Sequence, residues 1–111
     1  MHGARHSWDL GYRAELATLA YYFKSFAYFP IISKPGDEKE GWGGQTGHVQ
    51  DLWRNKTLEQ RWGTAPKPED THVFICGAPA MAEEMSKFLE GEGFREHKKK
   101  EPGQIHLERF W

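Results

Sequence analysis

Apolar positions recur along this chain at two periods, and the periods divide it into elements. Leu16, Leu19, Ala20 and Phe23 fall on one face at helical spacing, which predicts a helix over 10–23 with Asp9 as its N-cap. The run from Phe26 to Ser33 is continuously apolar and aromatic, broken only by Pro30. Such a run suits a strand buried on both faces, or an edge strand if Pro30 sits at a bulge. From Lys34 to Gly47 the chain turns polar and Gly-rich, through Pro35-Gly36 and Gly43-Gly44, which predicts a loop able to carry function. Val49, Leu52 and Trp53 restore helical spacing, and the two prolines between Gly63 and Glu69 end it. His72 to Cys76 reads as a short strand, Gly77 as a turn and Pro79 as the first position of a helix. Met81, Met85, Phe88 and Leu89 mark the buried face of that helix, and Gly91 and Gly93 its end. After a basic stretch, Arg95 to Lys100, and a Pro102-Gly103 turn, Ile105 and Leu107 alternate with His106 and Glu108 as a half-exposed strand.

Alternation of strand and helix predicts a parallel α/β sheet with helices on its faces. His2-Gly3 already reads as the end of a strand, because a turn and a helix follow at once. Met1 then stands inside an element, and a truncated chain is expected. In an open parallel sheet ligands bind beyond the carboxyl ends of the strands. One such end carries Arg5, with Arg13 further on; a second carries Ser33 and Lys34; a third carries Cys76, Gly77 and Ala78. Cations and a hydroxyl suit a phosphate, and a glycine before a helix start lets a ligand approach backbone N–H groups. Taken alone, each has a plainer reading. An exposed Arg is commonly a solvated charge, Cys76 closes an apolar strand as a small hydrophobe would, and Met81 is a helix-core residue.

Composition narrows the partners. The 111 residues hold 15 Lys+Arg against 16 Asp+Glu, for a formal charge of -1, which removes any electrostatic reason to expect nucleic acid or an anionic membrane. No apolar run reaches the length of a membrane span, and no signal-peptide pattern opens the chain. Cys76 is the only cysteine, so no intramolecular disulfide can form, in keeping with a cytoplasmic protein. The six histidines lie far apart in the sequence without metal-ligand spacing, and no metal site is expected.

Five segments together resemble bacterial ferredoxin (flavodoxin)–NADP(+) reductases: HGARHSWDLGYR, FPIISK, TGHVQDL, HVFICGAPAM and GFREHKKKEPGQIHLERFW. Cys76-Gly77-x-Pro79-x-Met81 is shared by the wider flavin reductase superfamily. The narrower signature is His97-x-x-x-x-Pro102-Gly103-x-Ile105 and the aromatic-Trp ending. The resemblance implies an incomplete Rossmann-like NADP-binding domain over 1–111, with the FAD-binding β-barrel and the first Gly-rich βα unit lying outside the chain. It also implies hydride transfer between FAD and NADP(H), single-electron exchange with ferredoxin or flavodoxin, and a complete protein that is monomeric.

Residue by residue, the resemblance assigns Arg5 and Arg13 to the 2′-phosphate of NADP. Ser33 and Lys34 match a Ser/Thr-Arg pair at the adenosine end, with Lys for the usual Arg and Pro35 for the usual acidic residue. Cys76, Gly77, Ala78, Pro79 and Met81 match the loop beside nicotinamide and pyrophosphate, Ala78 standing where Asn is common. Cys76 positions nicotinamide there, with no covalent intermediate. Trp111 matches an aromatic that lies against FAD. The Lys98–Lys100 run reads as a solvated loop, or as a surface facing an acidic ferredoxin or flavodoxin. Trp42-Gly43-Gly44 is no substitute for a Gly-rich phosphate turn, because it neither follows a strand nor opens a helix. The chain alone is therefore expected to bind NADP weakly or not at all and to lack diaphorase activity. Two other readings stand beside this one: a free-standing nucleotide-binding module without redox turnover, and a fragment of an oxygenase reductase component.

Overall fold

The computed structural model describes residues 1–109, arranged as two compact units, Met1–Thr57 and Leu58–Trp111. Phe110 and Trp111, and with them the flavin contact expected of Trp111, lie outside the described residues.

The first unit is built on a parallel three-stranded sheet, β1 (His2–Ala4), β2 (Pro30–Ile32) and β3 (Gln45–Thr46), in that spatial order. His2 stands opposite Pro30 and Ile31 opposite Gln45, so β2 is central. The long apolar run contributes only three residues to the sheet. Pro30 has no N–H to give the ladder, and it sits at the first position of the strand, where that loss is tolerated. The chain crosses from β1 to β2 through α1 (Arg13–Tyr22) and returns after β3 through α2 (Val49–Arg54). Ile31, Ile32, Leu10, Leu52 and Trp53 form the buried apolar core of this unit.

Helix α1 differs from the sequence expectation at both ends. Its N-cap is Tyr12, held at φ 58°, while Asp9 lies upstream in a single 3-10 turn, Ser7–Asp9. Gly11 and Tyr12 separate that turn from the helix, so the Asp9 side chain cannot cap it. The helix buries none of its own residues. The Gly-rich loop is also more ordered than expected, with a 3-10 turn at Pro35–Asp37 and the β3 pair. At the start of α2, His48 and Asp51 close a capping box, in which the His48 N–H donates to Asp51 Oδ2 at 2.8 Å.

The second unit opens within α3 (Thr57–Trp62), which begins after a break at Lys56 (φ 58°). Its centre is a parallel βαβ: β4 (Val73–Gly77), α4 (Pro79–Gly91) and β5 (Ile105–Arg109), with Phe74 opposite His106 and Cys76 opposite Glu108. Pro79 opens α4 as the sequence predicts. The buried face consists of Ala82, Met85, Ser86 and Leu89, against Ile75, Phe94 and Ile105; Met81 and Phe88 flank it, half-buried. The helix ends in a Schellman arrangement. Phe94 N–H donates to Leu89 O at 3.1 Å and Gly93 N–H to Glu90 O at 3.1 Å, with Gly93 at φ 96°, a conformation open to glycine and costly for other residues. Phe94 and Leu89 are both fully buried, supplying the apolar contact that accompanies this motif.

Candidate functional site

In the first unit the carboxyl ends of β1 and β2 are tied together beyond the last ladder residues. Ser33 N–H donates to Ala4 O at 3.0 Å and Lys34 N–H to Arg5 O at 2.9 Å. Two of the expected cations, Arg5 and Lys34, thereby stand on adjoining strand ends, with Ser33 beside them. Both cations are exposed.

Side chains reinforce this junction in a way the sequence reading missed. His6 Nε2 lies 2.8 Å from Asp37 Oδ2, and His6 Nδ1 lies 3.3 Å from Asp9 Oδ2. A carboxylate only accepts, so satisfying both contacts at once takes the imidazolium form, which donates from both ring nitrogens. The Asp37 hydrogen bond is the largest influence and raises the His6 pKa above its ordinary value; desolvation opposes it, and the Asp9 hydrogen bond and the charges of both carboxylates add to the rise. Asp37 is lowered in return, by the hydrogen bond from His6 and by the charges of His6 and Lys34. The His6 ring also stacks on Trp8, centroids 4.3 Å apart and planes 8° from parallel. Ser7 N–H donates to Glu38 Oε1 at 3.1 Å, a second tie between the same two segments. The His6-x-x-Asp9 spacing was visible in the sequence. Its partner Asp37 lies 31 residues from His6 and becomes one only through the parallel register of β1 and β2.

Arg13 opens α1, with its guanidinium carbon 4.9 Å from the centroid of the Trp42 ring. The Trp42 indole N–H donates to Gln45 O at 2.8 Å and so folds the Gly-rich loop around itself. A guanidinium stacked by its face keeps its N–H edge available for an anion, which a lysine in that place would not do in the same geometry.

In the second unit β4 delivers Cys76 and Gly77 to the start of α4. Ile75 faces the core, and by strand alternation Phe74 and Cys76 face the other way, where Phe74 is 77% exposed and the Cys76 thiol is free and exposed. The reading of Cys76 as a buried small hydrophobe is thus overturned. Gly77 has φ 152°, and a Cβ there would meet Met81 Cε at 2.6 Å. Ala78, the N-cap, offers no side-chain hydrogen bond to the helix, and the first α4 bond runs from Ala82 N–H to Ala78 O at 3.0 Å. The opening N–H groups of a 13-residue helix are therefore presented without a side-chain cap, at its positive end.

The same face of the second unit gathers three histidines that lie far apart in sequence. His72 Nδ1 and His106 Nε2 are 3.1 Å apart, His97 packs against His106 with ring centroids 4.9 Å apart, and His106 stacks on Phe74 at 4.5 Å. Desolvation, then the charges of His97 and His72, lowers the His106 pKa. Among the described residues no three His, Cys, Asp or Glu side chains converge as metal ligands. Nor is any described helix long and apolar enough to cross a membrane.

A parallel sheet whose strand ends carry cations, and a strand–glycine–helix turn with an open helix start, are the features by which α/β proteins bind nucleotides. The chain belongs to the oxidoreductase NAD-binding domain family, whose model matches residues 1–87. It is similar to the flavodoxin/ferredoxin–NADP reductase of Buchnera aphidicola subsp. Baizongia pistaciae, at 30% identity over 100% of this chain and 44% of the relative. The ferredoxin–NADP reductase of Azotobacter vinelandii is 31% identical over 98% of this chain and 44% of its own length. Among solved structures, a ferredoxin NADP+ reductase from Neisseria gonorrhoeae with bound FAD and NADP superposes with a TM-score of 0.81 at 27% identity, covering 99% of this chain and 43% of that one. The chain thus spans less than half the length of these relatives, and its fold is that of their C-terminal domain.

Proposed function

We propose that this chain is the NADP(H)-binding part of a reductase that exchanges hydride between FAD and NADP(H) and single electrons with ferredoxin or flavodoxin. The complete protein would act in the cytoplasm as a monomer, with FAD held mainly by a barrel domain outside these 111 residues. The observation that carries the reading is the joining of the Arg5 and Lys34 strand ends through a 2.9 Å backbone bond. A pair of cations at that point suits the extra phosphate that separates NADP from NAD. Arg13 adds a third cation, and Ser33 a hydroxyl. Gly77, Ala78, Pro79 and Met81 offer a backbone approach and an open helix start to pyrophosphate, and the exposed Cys76 orients nicotinamide. Bound together, flavin and nicotinamide supply the hydride exchange; the residues of this chain bind, orient and discriminate.

The test is a nuclear magnetic resonance titration of the chain with NADPH and, separately, NADH. Weak binding is expected, with amide shifts at Arg5, Ser33 and Lys34 that NADPH produces and NADH does not. Identical responses to both nucleotides, or none at these residues, would overturn the assignment. The chain with added FAD is expected to show no NADPH-dependent dye reduction. In a protein joined to its flavin domain, Arg5→Ala with Arg13→Ala should raise the KM for NADPH at least about tenfold more than that for NADH.

A further inference from the structure

The ionic knot around His6 joins the segments that follow the two strand ends carrying Arg5 and Lys34. We propose that the His6 imidazolium is the positioning group of the phosphate-binding face, clamping the turn after β2 to the strand end of β1 and neutralising the two carboxylates that would otherwise repel the phosphate. The inference rests on the reading of Arg5 and Lys34 given above and deepens it.

Three observations carry it. The contacts bridge the two segments that must be held: His6 follows Arg5 directly, and Asp37 lies three residues after Lys34 in the same 3-10 turn segment. The clamp is doubled by Ser7 N–H to Glu38 Oε1 and backed by the Trp8 ring stacked on the imidazolium. Among the described residues, the charges facing His6 come from both segments. Asp9 approaches from the preceding 3-10 turn and Asp37 from the turn after β2, Lys34 acts on Asp37, and Glu38 is engaged by the backbone of Ser7. With His6 charged, two carboxylates are offset by one cation. When the proton leaves, Asp9 loses the charge that faced it and Asp37 keeps only that of Lys34, beside a site that must hold a dianionic phosphate. One of the two donated hydrogen bonds is lost as well, because a neutral imidazole carries a single N–H.

His6 therefore makes the preference for a 2′-phosphate pH-dependent, in the direction opposite to the ligand's own chemistry. A phosphate monoester gains its second charge near pH 6, so an invariant cationic site binds it better as pH rises. A site neutralised by His6 binds it worse once the imidazolium is lost.

The probes are adenosine 2′,5′-bisphosphate and AMP, which differ only in the 2′-phosphate. Their affinities for the full chain are compared from pH 6 to 9 by nuclear magnetic resonance. The bisphosphate-to-AMP affinity ratio of the wild type should fall about threefold towards pH 9, whereas that of His6→Gln should rise or stay flat. His6→Arg, which keeps a cation at every pH used, should hold the ratio at pH 9. Long-range proton–nitrogen spectra of the wild type supply a readout independent of any variant's folding: both His6 ring nitrogens should be protonated at pH 6. A neutral tautomer there overturns the proposal, as does a ratio that follows the same pH course in wild type and His6→Gln. If the wild type never prefers the bisphosphate at any pH, the assignment of Arg5 and Lys34 fails, and this inference with it. A preference that is present but indifferent to His6 sinks the inference alone.

Discussion

Helices α1 and α4 read alike in the sequence and behave differently in the structure. Both carry apolar residues at helical spacing, and both cross from one parallel strand to another. Helix α4 buries Ala82, Met85, Ser86 and Leu89, whereas α1 buries nothing. Around α1, Tyr12, Tyr21, Tyr22 and Phe23 are all exposed, Tyr21 by 82%. Periodicity reports that a helix has an apolar side. Whether that side is covered depends on what the rest of the chain places against it, and a 3.6-residue period carries no information about the partner. In α4 the partner is local, because Ile75, Phe94 and Ile105 come from the strands and turn that flank the helix.

The sharpest way to break this comparison is a pair of matched truncations. Leu89→Ala removes a fully buried side chain from α4 and should destabilise the second unit by about 2–5 kcal/mol. Leu19→Ala, on the exposed side of α1, should cost less than about 0.5 kcal/mol. Urea denaturation of both variants reads the difference, followed by amide probes in each unit because two units need not unfold together. Equal losses at the two positions would show that α1 is covered after all.

The comparison also explains which parts of the molecule were legible from sequence. The βαβ around Cys76 was legible almost residue by residue, because its signals are local. Pro79 marks a first helical position, Gly93 a left-handed stop, and Ile105 and Leu107 a two-residue period. In the first unit the same reading located β1 from two residues and placed Arg5, Ser33 and Lys34 at strand ends, as found. It missed β3, because two polar residues, Gln45 and Thr46, carry no strand period. It misplaced the α1 cap, because Asp9 is spent in an earlier turn and the helix starts from a left-handed Tyr12. The His6–Asp37 contact and the His72–His97–His106 cluster were illegible for a stronger reason. Each is created by register between segments distant in sequence, and one residue of slip would dissolve it.

A smaller effect is expected where α4 stops. Gly93 sits at φ 96°, and Gly93→Ala should cost about 1–2 kcal/mol by forcing a side chain into that conformation. Gly91→Ala, two residues earlier, has open space around its Cβ and helical geometry, and should be neutral or slightly stabilising. Thermal denaturation of the two variants separates backbone strain from mere loss of glycine; similar shifts in Tm would remove the Schellman stop as the cause. In the first unit a side-chain contact acts at the start of a helix instead, where Arg13 over Trp42 fastens the Gly-rich loop to the head of α1. A double-mutant cycle with Arg13→Ala and Trp42→Ala should give a coupling of about 0.5–1 kcal/mol. A coupling of zero would mean that the indole hydrogen bond to Gln45 alone shapes the loop.

The smallest effect, and the one most specific to the first unit, is its pH dependence. His6 has a raised pKa, so its contribution to stability is complete below the ordinary histidine value of 6.5 and is lost as pH rises through the folded value. Asp37 has a lowered pKa, so its contribution is complete above the ordinary aspartate value of 3.8 and is lost as pH falls through the folded value. Their contact is therefore at full strength between those two ordinary values and weakens on both sides. Asp37 is exposed and His6 only half-buried, so the stability involved is slight and falls further with added salt. The measurable quantity is the difference in denaturation midpoint between wild type and His6→Gln for probes in residues 1–57. It should be largest near pH 5, shrink towards pH 9, and shrink again below pH 3. The second unit should show no such difference in the same samples, because its ionisable cluster around His106 does not involve His6. A midpoint difference that stays constant across the range would mean that His6 stabilises the first unit through its ring stack on Trp8 rather than through its charge.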